Sequence, residues 1–338
     1  MFVINLIPKA FNFIITTITL LKKINFSDLL KMKFKKLFTF LLVLLMTKLV
    51  SQDLKYKIPI IIDADTANEI DDLFAITRAL GEDSFELLGI TSAQFHTSPY
   101  ATSNSAMESH EMNKKLIDLI PKYKVPLKKG SSQPLEKINK PKVSEASRFI
   151  ISQARRLEEG KKLQIVILGS CTNIASALIE APDIASKLVI SYIGFWHNST
   201  LNTYDKNEFN SRNDILATNY LLNFIDLDFR VMSASTSKHL VFDKVRTFKY
   251  LSKSNLGNFL KNRWNTYKRW WTVKDPEQNK WIMWDLALIE AIANPDLAKL
   301  KSFETPIENV KRNINIYTFI DTLKMKSSFW KHYNRLVE

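Results

Sequence analysis

From Lys57 onward the chain alternates short apolar runs with longer segments whose apolar residues recur every three or four positions. The runs at 58–63, 86–91, 163–168, 188–193 and 228–233 are largely apolar, as strands buried on both faces are. The segments at 71–80, 99–120, 143–157, 172–180 and 214–224 have helical spacing. Strand–helix alternation predicts βαβ units, and so an α/β domain with a central, mostly parallel β-sheet flanked by helices. No internal repeat, low-complexity tract or Gly/Ser linker divides it, so one domain is expected over residues 53–338. In such sheets ligands bind beyond the carboxyl ends of the strands, so the chemistry is expected just after each run.

Residues 1–52 follow a different pattern. Met32-Lys33-Phe34-Lys35-Lys36 precedes an almost wholly apolar run at 37–46. A basic segment followed by an apolar run of about ten residues is the pattern of a secretory signal, too short for a spanning helix. Cleavage is expected near 50–52, without a clean A-x-A site. The mature protein is then exported, periplasmic or secreted, with no stable membrane span. A second apolar stretch at 12–21, followed by Lys22 and Lys23, leaves two readings open. Either translation starts at Met32, or the N-terminus tethers the protein to a membrane.

Composition narrows the class. Hydrophobic residues at 46% and charged residues at 24% are ordinary for a globular chain and exclude disorder for most of it. The net charge of +14 invites a nucleic-acid reading, but the first 50 residues hold eight lysines and one aspartate, and the remaining excess is spread without a dense block. A solvated basic surface is expected, with no nucleic-acid partner. Cys171 is the only cysteine, so no intrachain disulfide forms, and a small buried side chain is expected.

The densest chemistry follows the first run. Asp63, Asp65, Glu69, Asp71 and Asp72 fall within ten residues. Like charges this close disfavour one another's ionisation. A helix N-terminus accounts for Asp71 and Asp72 but not for Asp63 and Asp65. A hard cation with six to eight oxygen ligands accounts for all of them, and calcium is such an ion. An apolar strand ending in D-x-D also opens the haloacid-dehalogenase-like phosphatases, but no convincing later acidic pair follows a strand here.

The stretch resembles the opening motif of the inosine-uridine preferring nucleoside hydrolase family, D-x-D-x-G-x-D-x-D-D, with Asp63, Asp65, Asp71 and Asp72 in register. Ala67 stands where Gly is usual and Glu69 where Asp is usual, so Asn68 is expected to supply a left-handed conformation. Further stretches follow in the family's order over nearly all of 57–338. Gly89-Ile90-Thr91-Ser92-Ala93 is similar to its second strand, with His96 at the position of a sugar-contacting Asn. Leu168-Gly169-Ser170-Cys171-Thr172-Asn173-Ile174-Ala175 is similar to L-G-P-L-T-N-I-A. Asn202-x5-Glu208-Phe209-Asn210-x3-Asp214 matches the element that holds the ribose. Trp284-Asp285-Leu286-Ala287 is similar to a late W-D-x-x-A, with its Ala one position earlier.

The resemblance implies a Rossmann-like fold and calcium-dependent hydrolysis of the N-glycosidic bond of ribonucleosides, with a purine preference. It implies calcium bound by Asp65, Asp72, Asp285 and the Leu168 carbonyl, and Asp65 as general base. Ribose falls to Asp71, His96, Asn202, Glu208, Asn210 and Asp285. Trp284 is expected to stack on the base, whereas Trp264, Tyr267, Trp270 and Trp271 are open between stacking and core packing. A homo-oligomer, dimer or tetramer, is expected. The other readings are hydrolysis of another N-riboside, and a non-catalytic nucleoside- or sugar-binding protein on the same fold.

Overall fold

The computed structural model describes residue 39 and residues 57–251, 253–267 and 274–338. Apart from residue 39, the expected signal segment lies outside the described residues, as do Trp270 and Trp271. Eight strands form the main sheet. They are β1 (Ile58–Ala64), β2 (Phe85–Ser92), β3 (Leu127–Lys129), β4 (Leu163–Ile167), β5 (Leu188–Gly194), β8 (Asp228–Ser233), β11 (Ala298–Glu304) and β12 (Asn313–Ile320). Their order is β11-β12-β8-β5-β4-β1-β2-β3, and every pairing is parallel except β11 with β12. Two small antiparallel ribbons stand apart: β6 (Trp196–Asn198) with β7 (Thr203–Asp205), and β9 (Val241–Asp243) with β10 (Lys280–Ile282).

The apolar runs make sense in this frame because both faces of the sheet are covered. On β1, Ile60 and Ile62 belong to one core and Ile61 to the other. The first core packs against helices α1 (Asp71–Leu80), α2 (Ser105–Asp118), α9 (Asn255–Thr266), α10 (Trp284–Ala293) and α11 (Thr322–Val337). The second packs against α3 (Glu145–Arg156), α4 (Thr172–Glu180) and α6 (Ile215–Asn223). Three further short helices are α5 (Phe209–Asn213), α7 (Ala234–Ser237) and α8 (Lys244–Tyr250).

All five predicted strands are present, and α1 and α4 have the predicted bounds. Helix α2 starts six residues later than expected from 99. The Glu108 carboxylate takes the Thr102 amide and hydroxyl, which holds the chain before Asn104 in a turn instead of a helix. Among the described residues no helix is long and apolar enough to cross a membrane.

Candidate active site

From β1 the chain moves one way to β2 and β3, and the other way to β4, β5 and β8. A crevice therefore opens beyond the carboxyl ends of β1 and β4, the place where ligands bind in such sheets. A cavity of about 320 Å3 lies there. Its polar walls are Asp65, Asn68, Glu69, Asp71, Asp72, Asn207, Glu208, Asn210, Arg212 and Asp285, and its apolar walls include Leu168, Ile193, Trp196, Phe209 and Trp284.

The loop between β1 and α1 is tied on all sides. The Asn68 amide donates to the Asp65 carbonyl at 2.7 Å, closing a turn. Thr66 donates to Asn113, the Arg263 guanidinium to the Ala67 carbonyl, and the Trp281 indole N–H to Glu69 at 3.2 Å. Asn68 does not take the left-handed conformation expected of it. Among the described non-glycine residues only Asn202 and Gln278 have positive φ. The loop closes by hydrogen bonding instead. Gly169, just past β4, is required by close approach: a Cβ there would lie 2.8 Å from Ala93 Cβ and 3.0 Å from Asp65 Cβ.

Asp63 and Asp65, two residues apart, are set up differently. Asp63 Oδ1 accepts from Thr91 at 2.5 Å and from Asn173 at 2.9 Å, and its backbone carbonyl takes the Leu168 amide. It braces β1, β2 and α4 and is not a wall of the cavity. Asp65 is a wall, and its Oδ2 is buried without a hydrogen-bond partner, as is Asp72 Oδ1. Asp71 and Asp72 open α1, and Asp285 sits in the first turn of α10, where helix dipoles favour negative charge. The Asp285 amide donates to Asp71 Oδ2 at 3.2 Å, locking the two helix ends together.

Burial raises the carboxyl pKa of every one of these acids. For Asp65 the charges of Asp71 and Glu69 add to burial, and for Asp72 those of Asp65, Asp71 and Glu69. For Asp285 they are those of Asp71, Asp72 and Asp65. Asp71 is pushed up to about 6 by burial, against the hydrogen bond from the Asp285 backbone. One carboxylate oxygen each from Asp71, Asp72 and Asp285 lie within 4.8 Å of one another. Mutually close acid oxygens, with partnerless buried oxygens on Asp72 and on neighbouring Asp65, fit a divalent cation. The tight group differs from the expected ligand set in containing Asp71, which the resemblance assigns to ribose.

Glu208 caps α5, accepting from the amides of Asn210 and Ser211 at 2.9 and 3.0 Å, and burial raises its pKa against those bonds. Asn210 donates to the carbonyls of Leu168 at 2.9 Å and Ile193 at 3.1 Å, joining the ends of β4 and β5. These residues and Trp284 are brought into the cavity. His96 and Asn202 are not among its walls. His96 bonds Gln94 at 2.7 Å. Asn202, in the β6–β7 turn, accepts from Tyr204 and donates to the Glu304 carbonyl, anchoring the ribbon to β11. Asp214 caps α6 and accepts from Leu135 and Thr172, a structural role. Trp264 is fully buried and donates to the Gln278 carbonyl, so it belongs to the core, and Tyr267 packs against Trp281. Cys171 is buried, and burial pushes its thiol pKa up, which keeps it neutral.

Sequence reasoning passed over Trp196, Asn207, Phe209 and Arg212. Trp196 lies two residues beyond β5, where a ligand-facing side chain is expected, and that placement was the available signal. Its ring meets Trp284 edge to face, with centroids 6.0 Å apart and planes at 88°. Arg212 lies over the Phe209 ring at 5.3 Å.

A sequence model of the family described as inosine-uridine preferring nucleoside hydrolase matches residues 60–328. Comparison with curated protein sequences found no match. Among solved structures, a plant nucleoside hydrolase superposes with TM-score 0.63 at 16% identity, covering 81% of this chain and 98% of its own. A purine-preferring ribonucleoside hydrolase from Gardnerella vaginalis gives 0.63 at 19%, covering 82% and 99%. An inosine-uridine preferring nucleoside hydrolase from Bacillus anthracis gives 0.58 at 17%, covering 83% and 99%. At these identities the likeness is one of fold.

Proposed function

Because the chain belongs to the inosine-uridine preferring nucleoside hydrolase family, and so is a hydrolase acting on N-glycosyl compounds, we propose that it cleaves purine ribonucleosides with calcium as its cofactor. The observation that carries the cofactor is the set of crowded carboxylates at the β1–β4 crevice, two of them with partnerless buried oxygens. Asp65, Asp72 and Asp285 would hold the ion with the Leu168 carbonyl, and Asp71 stands close enough to join them. Bound there, calcium supplies the charge that offsets the carboxylates and Lewis acidity toward oxygen.

The protein's own groups then divide the reaction. Asp65, whose carboxylate is made more basic by burial and by the charges of Asp71 and Glu69, takes a proton from the water that attacks C1′ of the ribose. The new C–O bond forms as the N-glycosidic bond breaks, the base leaving with the bonding pair and taking up a proton. The transition state is oxocarbenium-like, and a ring of carboxylates favours its positive charge. Glu208 and Asn210 are held rigidly by their backbone bonds, and their carboxylate and amide oxygens accept from the ribose hydroxyls.

Trp284 and Trp196 hold the base. Their perpendicular rings offer one face to stack on and one edge beside it, and a purine fills more of that corner than a pyrimidine. A panel of ribonucleosides assayed for free ribose tests the reading. Inosine or guanosine should exceed uridine in kcat/KM. Faster uridine would overturn the purine preference, and no ribose from any nucleoside would overturn the substrate class.

The basic and apolar segments from Met32 support export with cleavage near residue 50 and a catalytic domain from about residue 53. N-terminal sequencing of secreted or periplasmic protein tests it, and intact residues 32–50 on cytosolic protein would refute it. A homo-oligomer is read from the family resemblance, and sedimentation of the mature protein decides it.

A further inference from the structure

A second concavity, of about 630 Å3, shares no wall residue with the catalytic cavity. Val241, Phe242 and Asp243 of β9 and Lys280 of β10 form part of it. Helix α8 contributes Arg246, Thr247 and Tyr250. Helix α11 contributes Leu323, Lys326, Ser327 and Trp330, whose i, i+3, i+4, i+7 spacing is one helix face. Three cations thus converge on a groove with one carboxylate, Asp243. That carboxylate accepts from the Arg246 amide at 2.9 Å as the cap of α8.

Arg246 and Lys326 are held in an unusual way. Among the described residues neither Arg246 nor Lys326 lies within ion-pair distance of a carboxylate. Each lies against a ring instead, Arg246 at 5.9 Å from Tyr250 and Lys326 at 5.9 Å from Phe242. Partial burial of Lys326 and the nearby Arg246 charge both disfavour its ammonium form, a cost that an anion in the groove would remove. Beside them, Tyr250 and Trp330 stack at 5.2 Å with planes 28° apart, and Tyr250 is 47% exposed. Half-exposed Tyr250 leaves part of this pair open to contact with another flat ring.

We propose that this groove binds a phosphate monoester carried on a flat aromatic ring system, as in a nucleoside monophosphate. Arg246, Lys326 and Lys280 face the phosphate, and Tyr250 and Trp330 stack with the ring. Arginine matches phosphate oxygens through its fork of donors, and a phosphate dianion answers several cations at once. A concave wall suits a small ligand. Exposed Leu323 and Val245, both 78% accessible, make a membrane surface the competing occupant.

The test is calorimetric titration of the full chain with adenosine 5′-monophosphate, inorganic phosphate and adenosine. It is run on wild type, Asp285→Asn, Arg246→Gln/Lys326→Gln and Tyr250→Leu, each checked for folding by circular dichroism. The nucleotide should bind wild type and Asp285→Asn alike, which separates the groove from the catalytic cavity. The double variant should weaken nucleotide binding at least ~10-fold, the scale of one lost charge-assisted bond, and leave ribose release from inosine unchanged. Tyr250→Leu should weaken the nucleotide but not phosphate. Adenosine binding at the groove as tightly as its phosphate would overturn the proposal. So would nucleotide affinity unchanged in the double variant, or cosedimentation with phosphatidylserine vesicles that depends on Arg246 and Lys326 without nucleotide binding.

Discussion

Helices α1 and α10 lie against each other and carry buried ionic groups at both ends, but the two ends are built differently. At the carboxyl-terminal end Arg78 Nε meets Glu290 at 2.7 Å, and its Nη2 meets Glu82 at 2.8 Å and Ser328 at 3.3 Å. At the amino-terminal end Asp71, Asp72 and Asp285 converge with Asp65 nearby, and among the described residues none of them has an ion pair. The Arg263 guanidinium, whose charge reaches Asp72, donates to the Ala67 carbonyl. One end carries its counter-charge in the chain. At the other, in the proposed function, calcium supplies it.

The largest effect should come from breaking the end that is already paired. Arg78→Met leaves Glu290 buried without its partner and should cost about 3–5 kcal/mol of stability by denaturant unfolding. Arg78→Met with Glu290→Leu should cost clearly less. If the single variant lost under 1 kcal/mol, the carboxyl-terminal pair would not be the structural half of the comparison.

At the acidic end the loss should be of turnover, not of fold. Asp65→Asn should lower kcat by at least ~10²-fold with an unchanged unfolding midpoint. Near-normal kcat in a folded variant would remove Asp65 from the mechanism.

The acidic end also makes the metal-free protein pH-sensitive. The folded pKa of Asp71, about 6, lies above its ordinary value of 3.8, so the folded state binds more protons between these values. Its contribution is therefore most favourable at low pH and is lost as pH rises through about 6. In chelator, Asp71→Asn should flatten the fall in melting temperature from pH 5 to pH 7. Calcium should stabilise wild type more at pH 7 than at pH 5, because ligating carboxylates must be deprotonated. A chelated wild type that gains stability across that range faster than Asp71→Asn would contradict this.

Much of this arrangement was legible in sequence because burial on both sheet faces writes itself as unbroken apolar runs. The bounds of α1 and α4 and the clustering of acids after β1 followed from that. The antiparallel edge did not, because β11 alternates Lys, Leu, Lys, Ser and reads as surface. Neither ribbon was expected, since three-residue strands leave no periodicity. The remoteness of Asn202 was hidden because its neighbours in space, Tyr204 and the Glu304 carbonyl, are set by how the β6–β7 ribbon docks on β11. Trp196 carried one signal, its place two residues beyond β5, while its pairing with Trp284 is set only by the fold.

The smallest effect belongs to that pair. Trp284→Ala and Trp196→Ala should each reduce the inosine-to-uridine ratio of kcat/KM by a few-fold, corresponding to stacking worth roughly 0.5–1.5 kcal/mol. Unchanged ratios in both would move base recognition elsewhere, with Asn207, Phe209 and Arg212 among the wall residues to examine next.

The contrast between the two helix ends turns on the counter-charge of the acids, and one assay addresses it directly. Ribose release from inosine should be followed after exhaustive chelation, with metal content measured, and again after calcium is returned. Activity should disappear with the metal and recover with calcium, while the fold persists throughout. Undiminished ribose release by protein verified to be free of divalent metal would contradict it.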